Sequence, residues 1–305
     1  MSDKNITITG AFSYTGKYAT RILLDRGYRV RTLTNHPERE NPFGKDVEVL
    51  PYNFDRPAQL TKSLKGTSTL INTYWVRFPH RGATFETAVK NTQTLIAAAK
   101  EADVNRIVHV SIANPSLDSP LGYYRGKALL EQDLISSGLS YAILRPTVIF
   151  GAEDILINNI AWFVRRFPAF GIPGNGRYGV RPIYVEDMAR ALVDAVERTD
   201  NFIVDAVGPE SFTFEELVRL IAEKLDRPTR MLHFPAPLAY VATRITGLFV
   251  GDTILTWQEY QGLMDNLLAS QGPSAGSTRL TDWLHKNREQ VGQHYASELA
   301  RHFRR

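Results

Sequence analysis

Apolar positions follow two alternating rhythms through the first half of the chain. Short β-forming runs stand at residues 6–9, 28–34, 47–50, 68–73, 106–111 and 141–149. Between them, apolar residues recur three and four apart, as with Phe85, Val89, Leu95 and Ile96 inside residues 83–102. The first rhythm predicts strands and the second predicts helices. Strands separated by helices cannot close as hairpins, so they lie parallel with helices covering both faces. The pattern therefore predicts an α/β fold with a doubly wound parallel sheet, whose ligands lie at the carboxyl ends of the strands.

After Gly151 the rhythm changes. Residues 155–167 predict a helix ending in Arg165 and Arg166, followed by an irregular segment marked by Pro168, Gly171, Pro173, Gly174, Gly176 and Gly179. Residues 186–196 predict a helix, and residues 202–207 a strand that returns to the sheet as its last parallel member. Thr213 and Glu216 form a capping box for a helix over residues 214–225. From residue 238 onward the pattern is helical with short breaks. The expected organisation is a dinucleotide-type domain of residues 1–150 plus about 186–207, and a smaller, mostly helical substrate lobe of about 151–185 plus 208–305.

The first strand ends at Gly10, Ser13 follows three residues later, Gly16 three after that, and then a helix begins. A strand, a glycine turn and a helix N-terminus receive a phosphate through free backbone N–H groups and the positive end of the helix dipole. Gly10 permits the sharp turn and Gly16 lets the helix pack closely on the strand. Ser13 stands where a third glycine usually lets the backbone approach the pyrophosphate, and its hydroxyl can donate to a phosphate oxygen. The second strand ends in Thr34, Asn35 and His36, which include no acid to hold a ribose 2′-hydroxyl. With Arg31 and Arg39 nearby, NADP is favoured over NAD.

Composition narrows the partners. The 305 residues carry a formal charge of +4 with Lys and Arg scattered, so no basic-aromatic stripe points to nucleic acid. The absence of cysteine excludes disulfides, iron–sulfur clusters and thiolate metal sites. The seven histidines include no pair four apart on a helix, so no metal site is expected. No apolar signal region precedes the first strand, and the apolar run at 238–250 contains Arg244 and is too short to span a bilayer. A cytoplasmic protein without a transmembrane segment is expected; the same run admits peripheral membrane contact.

Candidate chemistry sits at the fifth strand and the helix after it. Ser111 closes the strand, and Tyr123 and Lys127 lie four apart, on one helix face. A phenol near pKa ~10 transfers protons poorly at neutral pH, and a neighbouring ammonium lowers that value. Ser111 would orient a carbonyl or alcohol while Tyr123 passes its proton.

These features resemble the short-chain dehydrogenase/reductase superfamily in its extended and atypical, epimerase/dehydratase-type branches. The resemblance rests on Thr9 through Gly16, Val108 through Ser111, Tyr123 through Lys127, Leu144 through Thr147, and Val185 through Ala189. It is nearest to NmrA-like proteins and to bacterial relatives of the dehydrogenase-like accessory subunit of respiratory complex I. The resemblance implies a Rossmann fold with Gly10, Ser13, Tyr14, Thr15 and Gly16 at the pyrophosphate, and Asn35 and His36 at the adenosine ribose. It implies Asn53 and Phe54 at the adenine, and Asn72 and Thr73 beneath the nicotinamide ribose. Pro146 falls beside the nicotinamide, and Ser111, Tyr123 and Lys127 match the catalytic set, the last two also touching the cofactor. Ser13 in place of glycine, and Asn35 where many relatives carry arginine, depart from the family pattern.

The implied activity is an NAD(P)-dependent oxidoreductase or epimerase acting on a small-molecule carbonyl or alcohol. The alternative is a non-catalytic NAD(P)-binding regulatory or assembly protein; relatives of that kind tend to lose the tyrosine. Other signals carry little. Gly272 through Gly276 matches a hydrolase nucleophile elbow but lacks the flanking strand and helix. Phe163, Phe167, Phe170 and Tyr178 fit core packing or a pocket wall, and Arg301, Arg304 and Arg305 a solvated helix end.

Overall fold

A computed structural model describes residues 5–80 and 82–302. In chain order β1 (Asn5–Thr9), α1 (Tyr14–Asp25), β2 (Arg29–Thr34), β3 (Val47–Pro51), α2 (Pro57–Leu64) and β4 (Thr69–Asn72) come first. Next are α3 (Phe85–Glu101), β5 (Arg106–Val110), α4 (Gly122–Ser136), β6 (Ser140–Pro146), β7 (Ile149–Phe150), α5 (Leu156–Arg166) and β8 (Ala169–Pro173). Then follow β9 (Gly179–Val180), β10 (Ile183–Tyr184), α6 (Val185–Glu197), β11 (Phe202–Ala206), β12 (Phe212–Thr213) and α7 (Phe214–Lys224). The last elements are β13 (Arg230–Phe234), α8 (Ala236–Val250), α9 (Trp257–Met264), α10 (Leu280–Asn287) and α11 (Glu298–His302).

Two compact units result: Met1–Pro146 with Val185–Ala206, and Thr147–Tyr184 with Val207–Arg305. The first holds one seven-stranded sheet in the order β11-β6-β5-β4-β1-β2-β3. Every pairing in it is parallel. Strand order reverses between β1 and β4, which opens a crevice at their carboxyl ends. β11 pairs with β6, so the strand predicted at 202–207 does return to the sheet.

Helices on both faces explain why β1 and β4 are buried almost throughout. Their threonines are compatible with that burial because the hydroxyls find partners. In β1, Thr7 Oγ1 meets Thr67 Oγ1 at 2.6 Å, and Thr9 Oγ1 donates to Asn72 Oδ1 at 3.1 Å. α1 and α6 pack together, joined at the surface by Arg26 to Asp194 at 2.7 Å and to Glu197 at 3.2 Å. Leu60, Leu64, Leu70, Leu95, Ile107, Leu134 and Ile143 form a buried cluster beneath α2, α3 and α4. Truncating one such leucine to alanine costs about 2–5 kcal/mol.

The second unit differs from the sequence pattern in two places. The run at 141–149 breaks at Thr147: β6 stops at Pro146, and β7 pairs with β10 in a separate two-stranded ladder. The Thr147 hydroxyl bonds the Arg181 carbonyl and fixes that departure. The glycine- and proline-marked segment contains β8, which pairs in parallel with β13. Gly171 and Pro173 are tolerated there because a two-stranded ladder has only edges.

Phe163, Phe167 and Phe170 lie ring against ring, with centroids 5.9 and 6.4 Å apart, and buried Tyr178 meets Phe214 at 5.5 Å. Tyr178 belongs to a core with Phe150, Ile157, Val164, Leu217 and Ile221, and Phe170 packs against it, whereas Phe167 is 49% exposed. Arg165 bonds the carbonyls of Arg288 and Val291, and Arg166 that of Gln293, so the end of α5 holds a C-terminal loop. Arg301 bonds the Glu153 carbonyl and is not a solvated end, while Arg304 and Arg305 lie outside the described residues. Ser274 sits in an irregular loop, its Oγ bonded to the Val207 carbonyl at 3.2 Å. Among the described residues no helix is long and apolar enough to cross a membrane.

Candidate functional site

The carboxyl edge of the seven-stranded sheet gathers most of the residues singled out in the sequence. Gly10 leaves β1 at φ +71°, a conformation that favours glycine. Its N–H bonds the Leu33 carbonyl and its own carbonyl accepts from Ser13 N–H, both at 2.9 Å. A Cβ on Gly16 would lie 2.0 Å from the Gly10 carbonyl oxygen, so only glycine lets α1 start this close to β1. Ser13 is the N-cap of α1 in extended backbone, and its side chain makes no cap bond. The N–H groups of Tyr14, Thr15 and Gly16 form the first turn of α1, where no intrahelical acceptor exists. The tight turn, the Cβ-free approach and the first-turn donors fit a dinucleotide pyrophosphate.

Asn35 and His36 are exposed immediately past β2, and His36 N–H bonds Thr34 Oγ1 at 3.1 Å. Arg31 does not face that position. It bonds Glu48 at 2.8 Å and the Ser63 and Lys65 carbonyls at 2.7 and 3.2 Å. Arg39 is exposed in the following turn, its N–H on the His36 carbonyl at 3.2 Å. Of the two arginines, only Arg39 stays near the end of β2.

Asn53 follows β3 at φ +50°, and Phe54 stacks on Tyr52 at 4.7 Å and against Tyr74 at 5.0 Å. Asn72 is buried and spent on structure. Its Oδ1 accepts from Thr9 Oγ1 and Tyr74 N–H, both at 3.1 Å, which turns its amide nitrogen to His109 Nδ1 at 3.0 Å. The ring nitrogen His109 Nδ1 therefore accepts. Burial first, and the nearby Lys127 second, hold the imidazole well below its usual range, so it is neutral. Thr73 caps the end of β1, with N–H on Thr9 Oγ1 at 2.7 Å and Oγ1 on the Thr9 carbonyl at 2.5 Å.

Ser111 extends β5 by one residue, its N–H on the Leu144 carbonyl at 2.8 Å. Its hydroxyl is buried with no hydrogen-bond partner among the described residues. An orphaned hydroxyl of that kind costs about 1–3 kcal/mol, which a ligand can repay. Pro146 ends β6 beside it, its carbonyl accepting Ala113 N–H at 2.9 Å.

Lys127 reaches from α4 to the Val110 carbonyl at 2.7 Å, the peptide that leads into Ser111. It is only 2% exposed. Burial brings its ammonium down to about 7, with the Glu131 carboxylate opposing. Glu131, four residues further along α4, is itself buried and forms a two-point ion pair with Arg145 of β6, at 3.0 Å through Nε. Tyr123 is half-buried one turn before Lys127.

Two features around this set escaped the sequence reading. Trp75, three residues past β4, lies with its ring 4.5 Å from Lys127 Nζ and edge-on to Tyr123 at 5.5 Å. Gly126 makes room for it, because a Cβ there would sit 2.9 Å from the indole. Lys127 is thus roofed by an aromatic ring, which its expected contact with the nicotinamide ribose did not foresee. The Glu131–Arg145 pair was the second; its signal was present, since Glu131 continues the four-residue spacing of Tyr123 and Lys127.

A switch-point crevice, a glycine turn onto a helix N-terminus and a buried Ser–Lys pair at the strand ends define a dinucleotide-binding protein of the Rossmann class. Residues 10–157 match a family described as NAD(P)H-binding. The mitochondrial NADH dehydrogenase (ubiquinone) 1 alpha subcomplex subunit 9 of Arabidopsis thaliana is 27% identical over 76% of this chain and 61% of its own length. The triphenylmethane reductase of a Citrobacter species superposes with a TM-score of 0.76 at 18% identity, covering 93% of this chain and 99% of that one. The Escherichia coli NADPH-dependent quinone oxidoreductase QOR2, solved with NADPH, gives 0.72 at 18% identity over 95 and 97%. At that identity the two structures establish the fold. The chain spans from 50 to 63% of the length of the first respiratory-subunit relatives. Its residues 10–157 thus form an NAD(P)H-binding domain, similar in sequence to the complex I subunit 9 relatives and in fold to the two reductases.

Proposed function

We propose that the chain is an NAD(P)-dependent oxidoreductase that transfers hydride to or from a small-molecule carbonyl or alcohol, through Ser111, Tyr123 and Lys127. The observation that carries this reading is the placement of Lys127. A lysine is taken almost fully out of water, at a cost, and anchored to the peptide preceding a buried, orphaned serine hydroxyl. In this reading Gly10, Ser13, Tyr14, Thr15 and Gly16 hold the pyrophosphate, Asn35 and His36 the adenosine ribose, and Asn53 and Phe54 the adenine. Thr73 and Pro146 border the nicotinamide half, and Asn72 positions Thr73 and β4 from within the core. When bound, the nicotinamide supplies or accepts the hydride. Ser111 orients the substrate oxygen, Tyr123 gives or takes its proton, and Lys127 in its charged form lowers the cost of the phenolate.

A second reading keeps nucleotide binding without turnover, as an accessory protein. The indole roof of Trp75 over Lys127 favours it, since that ring must swing aside before Lys127 can meet a ribose. One experiment separates the two. Purified protein is titrated with NADPH and NADH by calorimetry and then tested for nucleotide oxidation against a panel of ketones, aldehydes and quinones. The oxidoreductase reading expects turnover on at least one class. It also expects NADPH to bind at least as tightly as NADH, because no acid follows β2 and Arg39 lies near. Firm nucleotide binding with no turnover on any member would favour the accessory reading, and a clear NADH preference would refute the role given to the end of β2.

A further inference from the structure

The second unit carries an apolar surface that its own core does not use. Leu232 and Phe234 of β13, Leu238 and Val241 of α8, and Trp257 of α9 are between 38 and 60% exposed. Leu238 and Val241 are three apart and share one face of α8, and Phe234 precedes Leu238 by one turn's length. Trp257 stands at the same helix through Tyr240, with ring centroids 5.1 Å apart. Scattered exposed apolar residues are ordinary, but Leu238 and Val241 on one helix face, with Leu232 and Phe234 on the strand that leads into the helix, are a cluster, and Trp257 flanks it beyond Tyr240.

Along the β13–α8 stretch itself charge is one-sided, with the nearest acids on neighbouring helices: Glu215 of α7, which meets His233 at 2.9 Å, and Glu259 of α9. From residue 227 through residue 251 the chain has no Asp or Glu, and it has Arg227, Arg230 and Arg244. All three arginines are exposed. Apolar side chains at the centre, an indole and a phenol at one flank, and arginines with no acid between them match the interface of an anionic bilayer. α8 with its 15 residues cannot span a bilayer, so it would lie in the interface plane.

We propose that the β13–α8 face of the second unit docks the protein reversibly on anionic phospholipid, with α8 lying in the plane of the headgroups. Leu238 and Val241 enter the acyl boundary, Trp257 sits at headgroup depth, and Arg230 and Arg244 meet the lipid phosphates. This inference does not depend on the catalytic reading.

The test is flotation of the full chain with vesicles of phosphatidylcholine alone, and of phosphatidylcholine with about one third phosphatidylglycerol. Binding is expected to the anionic vesicles, weakening as salt is raised. Leu238→Glu with Val241→Glu should abolish it. Both side chains are exposed, so melting temperature should hold. Arg230→Glu and Arg244→Glu should each weaken binding roughly fivefold while leaving the weaker affinity for neutral vesicles unchanged. Equal binding of wild type and the double variant would overturn the proposal. So would absence from anionic vesicles combined with a concentration-dependent dimer that the double variant disrupts, since the face would then meet a second copy of the chain.

Discussion

Lys127 is the residue whose physical state decides the most. Its folded value near 7 lies well below the ordinary 10.5, with burial as the main cause. Below about pH 7 it is charged in both folded and unfolded chains, so the folded state bears the full cost of the buried charge. Between about 7 and 10.5 only the unfolded chain holds the proton, so stability attributable to this residue rises with pH across that window. Lys127→Met should therefore raise stability by at least about 1 kcal/mol at pH 6, with the gain shrinking toward pH 10. Thermal unfolding of both proteins across that range is the check, and a destabilised variant at low pH would show that the ammonium is not under strain. The sequence placed Lys127 on one face with Tyr123, because helical spacing is local. It could not show the aromatic roof, because Trp75 arrives from a loop more than fifty residues earlier and spacing carries no such information.

At the scale of elements, β1, the glycine turn and α1 form the part most legible in advance. Alternating Ile and Thr, then glycines six apart, leave one local geometry, and the close approach of Gly16 to the Gly10 carbonyl realises it. Gly16→Val would put side-chain carbons where that oxygen sits, forcing α1 off β1. NADPH affinity is expected to fall below detection in calorimetry while the variant retains its helical signal; wild-type affinity in a folded variant would remove this turn from the nucleotide site. β8 and β13 were not legible. Their pairing joins residues some sixty positions apart, and glycine and proline in β8 mask its strand character. The break after Pro146 was hidden for a related reason: the run to Ile149 is continuously β-forming, and what stops the strand is tertiary, the Thr147 bond to Arg181.

For the whole molecule, alternation of strand and helix was enough to anticipate the sheet and the edge where the candidate site residues gather. The order of strands follows from that alternation and from the long crossovers it demands. What alternation could not supply is the reaction, because the same edge serves reductases, epimerases and binding proteins alike. The central claim is that this edge performs proton transfer at Tyr123, and Tyr123→Phe tests it most directly, since it removes one hydroxyl and keeps the ring against Trp75 and Phe85. The measurement is NADPH-dependent turnover of wild type and variant on the first substrate that a carbonyl and quinone panel yields, alongside the NADPH dissociation constant of each. Turnover should fall about a hundred- to ten-thousand-fold with the dissociation constant unchanged. Equal turnover in the two proteins would contradict the account.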